Sequence, residues 1–126
     1  MKESKSLSRF MKQAKAHDCH IASKTEDEIE KLFWKTLKNS SPVYGADVSG
    51  SMFDKGIPWN LNEITSLFND GLKGCNITGV TAPYCYIGTW KAMFGWHKED
   101  MDLYSINYLH KGMPKFWYSV DLDSND

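Results

Sequence analysis

Apolar residues change their spacing at Gly74. Before it they recur every three or four positions, the period of a helix with one buried face. Beyond it they gather in short runs dense in Tyr, Trp, Phe and Ile, which favour strands. A 126-residue chain patterned in this way is expected to fold as helices followed by an antiparallel sheet, an α+β arrangement.

Ser6 is placed to cap a first helix running to about Ala16, with Leu7, Phe10, Met11 and Ala14 on one stripe. Thr25-Glu26-Asp27-Glu28 has the spacing of a capping box, and its acidic first turn suits the helix dipole. Ile29, Leu32, Phe33 and Leu37 then share one face, and Asn39-Ser40-Ser41-Pro42 ends that helix. After an extended stretch at 43–48, a third helix is expected over about 60–69. Ile64, Leu67 and Phe68 would point inward and Gly71 would close it. Strands are expected at 84–89, 92–99, 103–109 and 115–120, with His110-Lys111-Gly112-Met113-Pro114 as a tight connection. Four short strands without closing partners have unpaired edges, which suggests part of a larger β architecture.

Several function classes recede at this level. The net charge is −1, so bulk electrostatics call for neither nucleic acid nor a membrane surface. The charge is nevertheless uneven: Lys2, Lys5, Arg9, Lys12 and Lys15 crowd the start, and Asp121, Asp123 and Asp126 the end. No apolar run has the length of a membrane span, and the charged N-terminus lacks the apolar stretch of a secretory signal. Three cysteines, Cys19, Cys75 and Cys85, form no CxxC pair, so the expectation is reduced thiols in a nuclear or cytosolic protein.

Two groupings could carry chemistry. His97-Lys98-Glu99 is a His-x-Glu on an expected strand, where residues two apart project from one face. An imidazole and a carboxylate side by side are two thirds of the 2-His-1-carboxylate set that holds non-haem Fe(II), although the same pattern also occurs on solvated strand faces. The other histidines, His17, His20 and His110, show no pairing logic that would make any of them the third ligand. A hairpin turning near Lys111 would set Asn107 opposite Lys115, with Trp117 on the same face. That pair is either a surface amide beside a surface ammonium or, if covered, a site for an organic dianion.

The run Tyr84-Cys85-Tyr86-Ile87-Gly88-Thr89-Trp90-Lys91, then Phe94-Gly95-Trp96-His97-Lys98-Glu99-Asp100-Met101-Asp102-Leu103-Tyr104-Ser105-Ile106-Asn107-Tyr108-Leu109-His110, then Gly112-Met113-Pro114-Lys115-Phe116-Trp117-Tyr118, resembles the JmjC histone demethylases that act on trimethyl-lysine of the histone H3 tail. Tyr44-Gly45-Ala46-Asp47, Trp59-Asn60 and Gly79-Val80 match in the same order, and the helical region from about Leu7 to Leu37 resembles the linker before the JmjC domain. The resemblance implies a domain layout of 1–50 as helical linker and 51–126 as the N-terminal part of a JmjC domain. It also implies a truncated, cupin-like, jelly-roll fold, the first part of a double-stranded β-helix. His97 and Glu99 would be the first two Fe(II) ligands and the catalytic centre, with a distal His beyond Asp126. Tyr44, Asn107 and Lys115 would hold 2-oxoglutarate, with Phe94 and Trp117 packed against it and a bulge near Gly95 to turn Phe94 inward. Gly79, Tyr86 and Glu99 would line the methylammonium site.

The implied activity is oxidative N-demethylation, releasing formaldehyde and succinate, on a methylated histone H3 tail in chromatin and in the nucleus. A non-catalytic JmjC chromatin protein and a JmjC protein hydroxylase are the alternatives. The chain departs from the family pattern at Thr78, Thr81, Ala82 and Met113.

Overall fold

A computed structural model describes residues 6–18, 21–72 and 74–121 of the chain. Cys19, His20 and the acidic end beyond Asp121 lie outside the described residues, as do the side chains of His17 and Phe68. The chain divides into two units, Met1–Met93 and Phe94–Asp126.

The first unit opens with α1, Leu7–Asp18, whose Arg9 N–H donates to the Ser6 hydroxyl at 3.3 Å. The expected stripe is only half covered. Phe10 and Ala14 are partly buried, whereas Leu7 and Met11 stay exposed. Helix α2, Glu26–Thr36, carries the complete capping box. Glu28 N–H donates to the Thr25 hydroxyl, and the Glu28 carboxylate accepts the Thr25 N–H at 2.9 Å. That backbone bond, first among its causes, holds the Glu28 carboxyl below the usual carboxylate range. Ile29, Leu32, Phe33 and Leu37 are the half-buried face, as the spacing requires.

Strands β1, Tyr44–Ser49, and β2, Tyr84–Gly88, pair antiparallel. Helix α2 is tied to the end of this sheet. Phe33 meets Trp90 edge-on at 6.1 Å, and the Lys91 ammonium donates to the Thr36 carbonyl and the Ser40 hydroxyl, each at 2.9 Å. The Thr36 carbonyl also accepts Asn39 N–H at 3.0 Å, so the lysine is a second donor to it and sits at the negative pole of the helix dipole. Buried Thr89 continues the join, its N–H donating to the Val43 carbonyl at 3.0 Å.

The third helix is shorter and later than its pattern suggests. It is α3, Leu67–Gly71, preceded by a turn at 61–63. Ile64 and Leu67, expected inward, are exposed, Leu67 almost fully. The reason is Asn60, which is buried. Its side chain accepts from Asn62 N–H at 3.1 Å and donates to the Asp54 carbonyl at 3.3 Å, giving the backbone a local alternative to helical bonds.

In the second unit the runs 92–99, 103–109 and 115–120 form no β-ladder among the described residues, contrary to the sequence expectation. Strands need a hydrogen-bonded neighbour, and here nearly every side chain is exposed, Tyr104 fully. The turn chemistry of hairpins is nonetheless present. Met101 and Asp102 both take positive φ, 57° and 52°, and Leu103 N–H returns to the Asp100 carbonyl at 3.2 Å, the arrangement of a type I′ turn. A bend at Lys111–Met113, with Gly112 at φ 123°, makes the second reversal.

Candidate active site

Within the second unit, His97 and Glu99 face each other, Nε2 to Oε1, at 3.8 Å. The ring is oriented by its other nitrogen, since Nδ1 lies 2.8 Å from the Gly95 carbonyl oxygen. A carbonyl only accepts, so Nδ1 carries the proton, and in the neutral ring Nε2 keeps its lone pair toward Glu99. Histidine ligands are commonly fixed this way, by a bond from the non-ligating nitrogen. A separation of 3.8 Å is less than twice a metal–donor bond of roughly 2.1 Å, so both atoms can reach one divalent cation. The two groups therefore fit Fe(II), which accepts mixed imidazole and carboxylate donors. Among the described residues, no cluster of three His, Cys, Asp or Glu side chains could hold a metal. His110 lies in the same unit against the Tyr108 ring, at 6.2 Å.

The expected bulge near Gly95 takes the form of a bend at Trp96. It frees the Gly95 carbonyl for His97. Phe94 meets the other end of the unit, its ring centre 6.0 Å from the Lys115 ammonium. The same ammonium lies 6.0 Å from the Trp117 ring centre and donates to Asn107 Oδ1 at 2.5 Å. Asn107, Lys115, Trp117 and Phe94 thus converge although no ladder pairs their backbones. Two aromatic faces attract the cation and strip part of its water, and that burial lowers the pKa of Lys115. An ammonium with one amide acceptor and two rings leaves donor capacity for an anion.

In the first unit, Tyr44 and Tyr86 sit on neighbouring strands with ring centres 6.3 Å apart, and Tyr84 meets Tyr86 edge-on at 6.3 Å. Gly79 adopts φ +86°, and a Cβ there would lie 2.6 Å from the Tyr84 ring. A glycine is required at 79 both by its backbone and by the tyrosine packed on it. Gly88 plays a like part under Tyr44, where a Cβ would stand 2.5 Å from that of Ala92. Gly79 and Tyr86 are linked through Tyr84, while Glu99 belongs to the other unit.

One residue escaped the sequence reasoning. Between the pairs Gly45↔Ile87 and Val48↔Cys85, β1 has one residue too many, so Ala46 and Asp47 face Tyr86 alone. Asp47 takes φ 53° in this bulge and accepts the Tyr86 hydroxyl at 2.8 Å. Burial, then the bond to Asp47, push the Tyr86 phenol up to about 12, and burial pushes Tyr44 up as well. Asp47 lies within the matched run Tyr44-Gly45-Ala46-Asp47, where it had no role assigned, although Asp is a residue tolerant of left-handed φ. Thr81, a departure from the family pattern, braces the loop before β2. Its hydroxyl accepts Ile77 N–H at 2.8 Å and lies 3.0 Å from the Cys75 carbonyl.

An imidazole–carboxylate pair is two thirds of the donor set that non-haem iron oxygenases use. Residues 84–126 match the family described as "JmjC domain, hydroxylase", so this segment is part of a JmjC domain. The chain has relatives among the lysine demethylases. It is 48% identical over 97 residues to lysine-specific demethylase 4B of Mus musculus and 50% identical over 97 residues to lysine-specific demethylase 4D of Rattus norvegicus. It is 47% identical over 96 residues to the probable lysine-specific demethylase 4F of Homo sapiens. These matches cover 74–75% of this chain but 9%, 19% and 15% of the three relatives, so the chain spans less than a fifth of their length.

Proposed function

We propose that this chain is part of an Fe(II)- and 2-oxoglutarate-dependent histone lysine demethylase, acting on a methylated H3 tail in chromatin and in the nucleus. The observation that carries this is the coexistence, in one unit, of the oriented His97–Glu99 pair and the Lys115–Asn107 pair flanked by Phe94 and Trp117. The names of the relatives point to methylated lysine, and the histone H3 tail is what the family resemblance implies. Residues 51–126 would form the N-terminal part of the JmjC domain, with 92–99, 103–109 and 115–120 as strands of its double-stranded β-helix.

His97 Nε2 and Glu99 Oε1 would hold the metal, and the Gly95 carbonyl would keep the imidazole in the ligating tautomer. Lys115, with Asn107 and Tyr44, would take the far carboxylate of 2-oxoglutarate, and the Phe94 and Trp117 rings would exclude water from that ion pair. Gly79, Tyr86 and Glu99 would present oxygens to the N-methyl groups. Bound Fe(II) and 2-oxoglutarate would supply the oxidising chemistry with O2 as the oxidant, the co-substrate leaving as succinate and CO2; the residues named would bind, orient and desolvate. A third ligand would come from a distal histidine.

Formaldehyde release and 2-oxoglutarate turnover with a trimethyl-lysine H3 peptide, measured on the full-length protein that supplies the third ligand, test this assignment; the 126-residue chain alone is expected to be inactive. Both are expected, and both should fall to background in His97→Ala. Absence of 2-oxoglutarate turnover would contradict it and favour a non-catalytic chromatin protein. A hydroxylase stays in view because the matched family is described by that activity. Product mass separates the two, a loss of about 14 Da for a methyl against a gain of about 16 Da for an oxygen.

A further inference from the structure

The β1 bulge has a chemical consequence. Were β1 regular, Asp47 would pair with the sheet like its neighbours; the extra residue and its left-handed φ instead aim the carboxylate at the Tyr86 hydroxyl, 2.8 Å away. A phenol oxygen has one proton and two lone pairs. With its proton committed to a carboxylate, the oxygen is left as an acceptor, its electron density raised by the charge-assisted bond. An N-methylammonium offers polarised C–H groups and no strong acceptor, so it is served by such an oxygen and poorly by a phenol free to turn its proton outward. The groups facing Tyr86 from the two strands are Asp47, Tyr44 and Tyr84, and the negative charge among them is that of Asp47.

We propose that Asp47 is a positioning residue: it locks the Tyr86 hydroxyl as an acceptor for methylated ammonium ions. This rests on the assignment of Tyr86 to the methylammonium site, and the test separates the two. Tetramethylammonium is titrated into the full chain while the Tyr86 ring is followed by NMR in four proteins: wild type, Asp47→Asn, Tyr86→Phe and the double variant. Asn tolerates the left-handed φ at position 47, so the bulge is expected to persist, and the β1–β2 amide signals confirm it.

Asp47→Asn should weaken tetramethylammonium binding by about fivefold and bring the Tyr86 phenol titration down toward its ordinary value. In the Tyr86→Phe background the same change should have no further effect on affinity. If Asp47→Asn costs as much with Phe at 86 as with Tyr, Asp47 attracts the cation directly and the positioning role is overturned. An unchanged phenol titration in Asp47→Asn overturns it equally. If wild type gives no response at the Tyr86 ring, the methylammonium assignment itself fails, whatever the phenol titration shows, and the proposal falls with it.

Discussion

At the scale of single residues, four groups, Glu28, Tyr44, Tyr86 and Lys115, hold their protons or charges away from ordinary behaviour, each for a visible reason. Tyr86 is pushed up to about 12 by burial and by Asp47. A raised folded-state value stabilises the fold below the unfolded value near 10 and loses that contribution as pH climbs through about 12. Ultraviolet titration should therefore show a phenol that ionises near pH 12 and is lost in Tyr86→Phe. Lys115 moves the other way, because its ammonium is partly buried. Folding stability accordingly rises with pH as Lys115 loses its proton. A bound dianion holds that proton, so 2-oxoglutarate affinity should fall as pH rises past the free protein's Lys115 value. Lys115→Ala should raise the KM for 2-oxoglutarate about tenfold or more, since a charge-assisted bond contributes ~1.5–3 kcal/mol. An unchanged KM would remove Lys115 from the co-substrate site.

The bend near Lys111 brings the Asn107 and Lys115 side chains together as their spacing suggests, although the strand pairing expected of a hairpin is not formed among the described residues. Asp47 was not foretold, because a bulge adds one residue without leaving any change in composition.

At the scale of elements, legibility followed locality. The capping box of α2 needs only four consecutive residues, and the structure forms it in full. Thr25→Ala should cost about 1 kcal/mol, the usual worth of an N-cap, as measured by denaturant unfolding. The helix expected at 60–69 failed because one buried side chain, Asn60, competes for backbone groups, and periodicity does not register such competition. The type I′ turn at Met101-Asp102 is also hidden from pattern. Met is a poor occupant of left-handed φ, and Met101 is 83% exposed. Met101→Gly should therefore be neutral or stabilising by up to roughly 1 kcal/mol. A clear loss of stability would mean that the Met101 side chain contributes packing that its exposure does not suggest. Gly79→Ala should act in the opposite sense, destabilising by about 1–3 kcal/mol through both its φ and the Tyr84 ring.

At the scale of the whole molecule, the first unit is held by β1–β2 pairing and the tie of α2 to the sheet, and the second by side-chain contacts around two turns. The strand signal in 92–120 was correct about residue types and silent about partners, since a strand is completed only by its neighbour. The resemblance to the JmjC family rests on a run of specific residues, and the proposed chemistry on two pairs of side chains within the second unit, His97–Glu99 and Lys115–Asn107.

Those pairs can be watched together by NMR during an anaerobic Fe(II) titration in the presence of 2-oxoglutarate. Selective paramagnetic broadening of the His97 ring and Glu99 side chain, with a shift of the Lys115 ammonium that depends on 2-oxoglutarate, is the expected result. Sharp His97 and Glu99 signals at saturating metal, with broadening confined to other residues, would contradict it.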